Sequence, residues 1–196
     1  LKVRQKKECK PFYKNELQIG IHLEMRLSCD HELSNLLGNA RHIAVIGISE
    51  QTDRPSNQVF RFLKNEGFEL TPVNPLLKGK RLLGHEVFGS LEEIQRPICI
   101  VDVFRESRWL PDIVEKVINL NIPSIWTQLG VSNVTAETRA LEAGINLVVN
   151  RCPAVEIPRL RAAGFYNQVI ASQSSLPLVS SSCESDHNVS KAAKRI

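Results

Sequence analysis

Five short apolar runs, each separated from the next by a stretch long enough for a helix, constrain this chain more than anything else in it. They lie at 43–49, 69–73, 98–104, 123–128 and 146–150. The first, Ile43-Ala44-Val45-Ile46-Gly47-Ile48-Ser49, shows no in-out alternation, so it reads as a strand buried on both faces. Behind it, Val59, Phe62 and Leu63 fall at i, i+3 and i+4, and Gly67 ends that helix. Strands separated by whole helices need crossovers, which makes the sheet parallel with helices on both faces. The expected fold class is therefore α/β, a doubly wound, mostly parallel, Rossmann-like sheet.

Punctuation residues fill in the rest. A short helix over 30–37 carries Leu33, Leu36 and Leu37 on one face and stops at Gly38. Residues 78–84 read as a polar excursion, and Ser90 opens a short capped helix that Pro97 closes. Ser107 caps a helix whose buried face is Leu110, Ile113, Val114 and Val117, with Pro111 in its first turn. A further helix runs over 135–143 and ends at Gly144. Cys152-Pro153 reads as a turn holding the last strand.

Of 196 residues, those before Ser28 carry seven basic and three acidic side chains, which accounts for the whole net charge of +4. Charge gathered on one end does not suit a nucleic-acid-binding face. The expected organisation is a basic arm at 1–28, one domain at 29–163 and a serine-rich, compositionally disordered tail at 164–196. Cys9, Cys29, Cys99, Cys152 and Cys183 offer neither a disulfide framework nor a CxxC metal pair. No stretch is apolar for long enough to cross a bilayer. The expected location is the cytoplasm, or an organelle matrix if the basic start belongs to a transit segment.

In an open parallel sheet, ligands bind beyond the carboxyl ends of the strands. Those ends hold amides, hydroxyls, Arg54, Arg105, Arg151 and Phe104, and no paired carboxylates. The turn at Gly47-Ile48-Ser49 leads into a helix start, where unpaired N–H groups and the helix dipole suit a phosphate; an ordinary connection is the other reading. A nicotinamide dinucleotide would want G-x-G-x-x-G here and an acidic residue closing the second strand, which ends in Asn74 instead. A GxxxxGK[ST] phosphate loop is absent as well. His22, His31, His42, His85 and His187 are scattered, without metal or triad spacing. Asp102 in its apolar strand reads as structural, and Arg151 beside Cys152 raises the idea of a stabilised thiolate.

Taken in order, Ala44-Val45-Ile46-Gly47-Ile48-Ser49, Arg54-Pro55-Ser56, Pro72-Val73-Asn74-Pro75, Val101-Asp102-Val103-Phe104-Arg105, Trp126-Thr127-Gln128-Leu129-Gly130 and Arg151-Cys152-Pro153-Ala154-Val155-Glu156-Ile157-Pro158 form a set. With them the stretch 43–160 resembles the small stand-alone CoA-binding proteins, related to the CoA-binding domain of the succinyl-CoA synthetase alpha subunit. That resemblance implies CoA, free or acylated, as the ligand. It implies phosphates at Gly47, Ile48, Ser49, Arg54 and Ser56; the nucleotide along Asn74, Pro75 and Lys78; pantetheine against Val103, Phe104 and Arg105; and Gln128 near its far end. The chain lacks the synthetase's ATP-grasp partner and the region of its phosphorylated histidine, so a non-catalytic or regulatory CoA module is expected. The alternatives are an acyl-CoA-dependent enzyme or a nicotinamide-linked oxidoreductase on the same fold. Expected partners are the small molecule and, as open alternatives, a second copy or a regulatory protein, with neither nucleic acid nor membrane.

Overall fold

A computed structural model describes residues 26–166; most of the expected arm and of the serine-rich tail lies outside the described residues. Helix α1 (Asp30–Asn39) begins where Glu32 accepts the backbone N–H groups of Ser28 and Cys29, at 3.0 and 3.1 Å. Gly38 does not stop it; the helix runs one residue further and leaves through an extended Ala40. Strand β1 (His42–Ile46) leads to α2 (Pro55–Asn65), and β2 (Glu69–Val73) follows. The buried stripe of α2 is Ser56, Asn57, Val59, Phe60 and Leu63, so Phe60 takes the core position expected of Phe62. Phe62 packs at the edge of that stripe.

The excursion after β2 is more ordered than its polarity suggests. Strands β3 (Arg81–Leu82) and β4 (His85–Glu86) pair antiparallel around Leu83 and Gly84, both at positive φ. The turn at Ser90 is a single 3-10 turn, Leu91–Glu93, with no side-chain cap, and it closes well before Pro97. Strand β5 (Ile100–Val103) precedes another 3-10 turn, Ser107–Trp109, and then α3 (Leu110–Asn119). Ser107 does not cap α3; its hydroxyl accepts the Ser132 N–H at 3.0 Å across the neighbouring loop. Strand β6 (Ser124–Thr127), helix α4 (Val134–Glu142), strand β7 (Asn146–Val148) and helix α5 (Pro153–Ala162) complete the unit. The Cys152-Pro153 turn is thus a helix start.

Five strands form one parallel sheet in the order β2-β1-β5-β6-β7. Successive residues on each strand face opposite layers. Ile43, Val45, Ile100, Trp126 and Val148 pack with α1, α2 and α5, while Ala44, Val101, Val103, Ile125 and Leu147 pack with α3 and α4. The chain leaves β1 towards β2, then returns to β5 on the opposite side of β1. That reversal opens a crevice at the carboxyl ends of β1 and β5. At the far edge, Leu27 donates to the Leu147 carbonyl at 2.8 Å and Arg26 pairs with Glu137, so the end of the expected arm adds to the sheet.

Candidate functional site

Gly47 closes β1 at φ +83°, its N–H donating to the Val73 carbonyl at 2.9 Å. A Cβ there would lie 2.6 Å from the Phe104 carbonyl oxygen and 2.9 Å from Arg105 Cδ. Glycine is therefore what lets the ends of β1 and β5 come this close. The turn beyond is held from three sides. Ser49 N–H donates to Ser56 Oγ at 3.1 Å, Asn57 Nδ2 donates to the Ser49 carbonyl at 2.8 Å, and Asn74 Nδ2 donates to the Ile48 carbonyl at 2.7 Å. The turn is thereby tied to the first residues of α2, which has no acidic residue in its first turn. Arg54 sits at the helix cap, its Nε donating to Gln51 Oε1 at 2.9 Å.

These groups form one side of a cleft of about 770 Å³. Its other walls are Leu76 and Leu77 after β2, Phe104 and Arg105 after β5, Gln128 to Val131 after β6, and Cys152 at the start of α5. The two carboxylates on its lip are already paired, Glu50 with Lys80 at 2.9 Å and Glu106 with Arg108 at 3.0 Å. Uncompensated negative charge does not face the phosphate-suited helix start. A smaller cavity of about 330 Å³ adjoins on the opposite side of Gly47 and Arg105, lined by Pro75, Gly89, Ser90 and Trp109 among others. Arg105 stands between the two, its guanidinium 5.4 Å from the centre of the Trp109 ring.

Nine of the twelve residues singled out from sequence meet in the main cleft: Gly47, Ile48, Ser49, Arg54, Ser56, Asn74, Phe104, Arg105 and Gln128. Three do not. Val103 is buried against α3 and α4 because strand alternation turns it to the layer away from the cleft. Pro75 lines the smaller cavity instead. Lys78 points to Glu93, which it meets at 2.8 Å, and lines neither cavity. Sequence reasoning passed over Asn57, whose full burial in the first turn of an amphipathic helix marks it as a loop anchor, and Leu76 and Val131 on the cleft walls.

Asp102 is the buried group closest to chemistry. Its Oδ1 accepts the Gln128 Nε2–H at 2.7 Å, Oδ2 has no hydrogen-bond partner among the described residues, and burial pushes its pKa up to about 7 against the opposing N–H groups of Gln128 and Val103. Cys152 is different from expectation. Burial raises its thiol pKa, and the charges of Asp102 and Glu156 add to the rise, against opposing N–H groups of Ala154 and Val155. Arg151 cannot favour the thiolate, since it is committed to Glu156 at 3.0 Å and to the Ser28 carbonyl at 3.1 Å. The reactive-thiolate idea therefore fails. His42 is a structural core group bridging Thr71 Oγ1 and the Pro97 carbonyl, each at 2.8 Å. Among the described residues no cluster of three or more His, Cys, Asp or Glu is arranged to hold a metal, and no helix is long and apolar enough to cross a membrane.

Parallel order, switch-point cleft and glycine turn define a Rossmann-like ligand-binding domain. The CoA binding domain family model matches residues 41–158, and the chain belongs to that family. The uncharacterized protein YneT of Bacillus subtilis (strain 168) is 36% identical over 121 residues, covering 62% of this chain and 88% of YneT. A solved structure from Thermus thermophilus superposes with TM-score 0.66 at 38% identity, covering 68% of this chain and 99% of the other. A hypothetical protein from Pyrococcus horikoshii OT3 gives TM-score 0.65 at 29% identity, covering 75% and 99%.

Proposed function

We propose that this chain binds CoA, free or acylated, across the two cavities at the sheet's carboxyl edge, and that it does so as a non-catalytic or regulatory module. The observation that carries this reading is the way one turn joins a phosphate-suited helix start to a long, mostly apolar cleft. Phosphates lie against the backbone of Gly47, Ile48 and Ser49, the Ser56 hydroxyl and the Arg54 guanidinium, where helix dipole and cation act together. The pantetheine arm runs past Phe104 towards Gln128, its length matched by the larger cavity. The nucleotide end passes Gly47 into the smaller cavity beside Pro75, with Asn74 holding the turn between them.

A dinucleotide fits less well. The second strand is followed by Asn74, whose amide is already spent on the Ile48 carbonyl and on the Leu76 N–H at 3.0 Å, so this position offers no acidic side chain to an adenosine ribose. A ligand that binds only the folded state raises its melting temperature by mass action. Thermal unfolding with CoA, acetyl-CoA, succinyl-CoA, NAD and ATP at equal concentration tests the reading. CoA and its thioesters are expected to give the largest shifts. A larger shift with NAD or ATP would overturn it.

A further inference from the structure

Asp102 lies in the middle of β5, between Val45 of β1 and Trp126 of β6 in the sheet register. An apolar residue would fill such a place without desolvation cost, whereas a carboxylate with one oxygen unpaired is expensive there. What the carboxylate does is hold Gln128, whose side chain lines the cleft beside Cys152. An ionised carboxylate can only accept, so it must take one of the two amide N–H groups of Gln128, which holds the amide nitrogen on Asp102 and turns the amide oxygen, an acceptor, towards the cleft. A protonated carboxyl can donate to that oxygen. The amide then turns its N–H to the cleft instead.

We propose that Asp102 is a positioning residue that sets whether Gln128 shows the cleft an acceptor or a donor, and so whether the site prefers the free thiol of CoA or its thioester. The inference rests on the reading above, in which the thiol end of the ligand lies near Gln128. A thiol S–H donates weakly and suits an amide oxygen; a thioester carbonyl only accepts and suits an amide N–H. Ionised Asp102 therefore favours free CoA, and protonated Asp102 favours the acylated form. Burial brings this exchange close to neutral pH. The groups that face Asp102 do not compete in that range. Val45 and Trp126 carry no charge, the Cys152 thiol at the head of α5 is raised above its ordinary value, and Glu156 behind it is paired with Arg151 and Arg159.

Calorimetric titration of the full chain with CoA and with acetyl-CoA, at about pH 5.5 and about pH 7.5, tests this, because titration of the ligand phosphates is common to both and cancels in the ratio of affinities, while the CoA thiol stays largely protonated throughout. The preference for CoA over acetyl-CoA is expected to rise by about fivefold between the two pH values, the worth of one net hydrogen bond. Asp102→Asn has no proton to lose, so its ratio should stay flat. Gln128→Leu, which keeps the core apolar, should flatten it too. A flat ratio in the wild type, or an unchanged rise in either variant, overturns the inference while leaving CoA binding standing. Binding of neither ligand would overturn the reading on which it rests and the inference with it.

Discussion

Gly47 is a residue on which both fold and site depend. Alanine at this position meets backbone at 2.6 Å and must also hold a positive φ, so Gly47→Ala should destabilise by at least about 2 kcal/mol in urea unfolding. An unchanged midpoint would mean that β1 and β5 can part without cost. On the proposed reading Arg54 serves binding rather than stability, its side chain being exposed and hydrogen-bonded, among the described residues, to Gln51 across the turn. Arg54→Ala should weaken CoA by roughly tenfold and leave pantetheine, which has no phosphate, unaffected. Equal losses for both would give Arg54 a structural role.

Asp102 has a signature in stability as well. Its folded pKa of about 7 lies above the ordinary carboxyl value of 3.8, so between these values the folded state holds the proton that the unfolded state has lost. Stability from this group is greatest in acid, falls as pH rises through that window, and stays low above it. Asp102→Asn removes the cost, on the order of 4 kcal/mol at most, so its melting temperature relative to wild type should climb between about pH 4 and about pH 7. A constant difference would show that Asp102 ionises as freely in the folded protein as outside it.

At the scale of elements, α5 departs most from a regular pattern. Pro153 starts it, but Pro158 interrupts it on the exposed side, where it supplies no N–H to the carbonyl four residues back. Pro158→Ala should therefore stabilise by about 1 kcal/mol in urea unfolding, the helix gain being partly offset by a freer unfolded chain. Two prolines and a weak apolar stripe are also why α5 was not legible in the sequence, although Ile157 and Leu160 are buried in the core. The strands were legible because residues buried on both faces need no alternation to be recognised; β2 falls at 69–73 as expected. The β3-β4 hairpin, two residues per strand, is too short to leave a period. Ser107 is a good cap by type, and only the approach of the loop at Ser132 takes its hydroxyl elsewhere.

For the whole molecule, strand order decides where ligands go. Once five parallel strands are placed with β1 and β5 adjacent, loops far apart in sequence come together, which is why the residues that the family resemblance singles out mostly line one cleft. What the sequence could not give is side-chain direction and pairing. Val103 lies one residue before Phe104 and faces the opposite layer, and Lys78 is turned from the cleft by Glu93. Nor could it show that Asp102, read as structural, holds a cleft residue.

Whether CoA occupies this edge of the sheet is read out residue by residue in backbone amide NMR of the isotope-labelled chain titrated with CoA. Shifts are expected to concentrate at Gly47, Ser49, Ser56, Arg105, Gln128 and Cys152 and along the first turns of α3 beside the smaller cavity, with α4 left unmoved. Shifts confined to α4, or none at saturating CoA, would contradict occupancy of this edge.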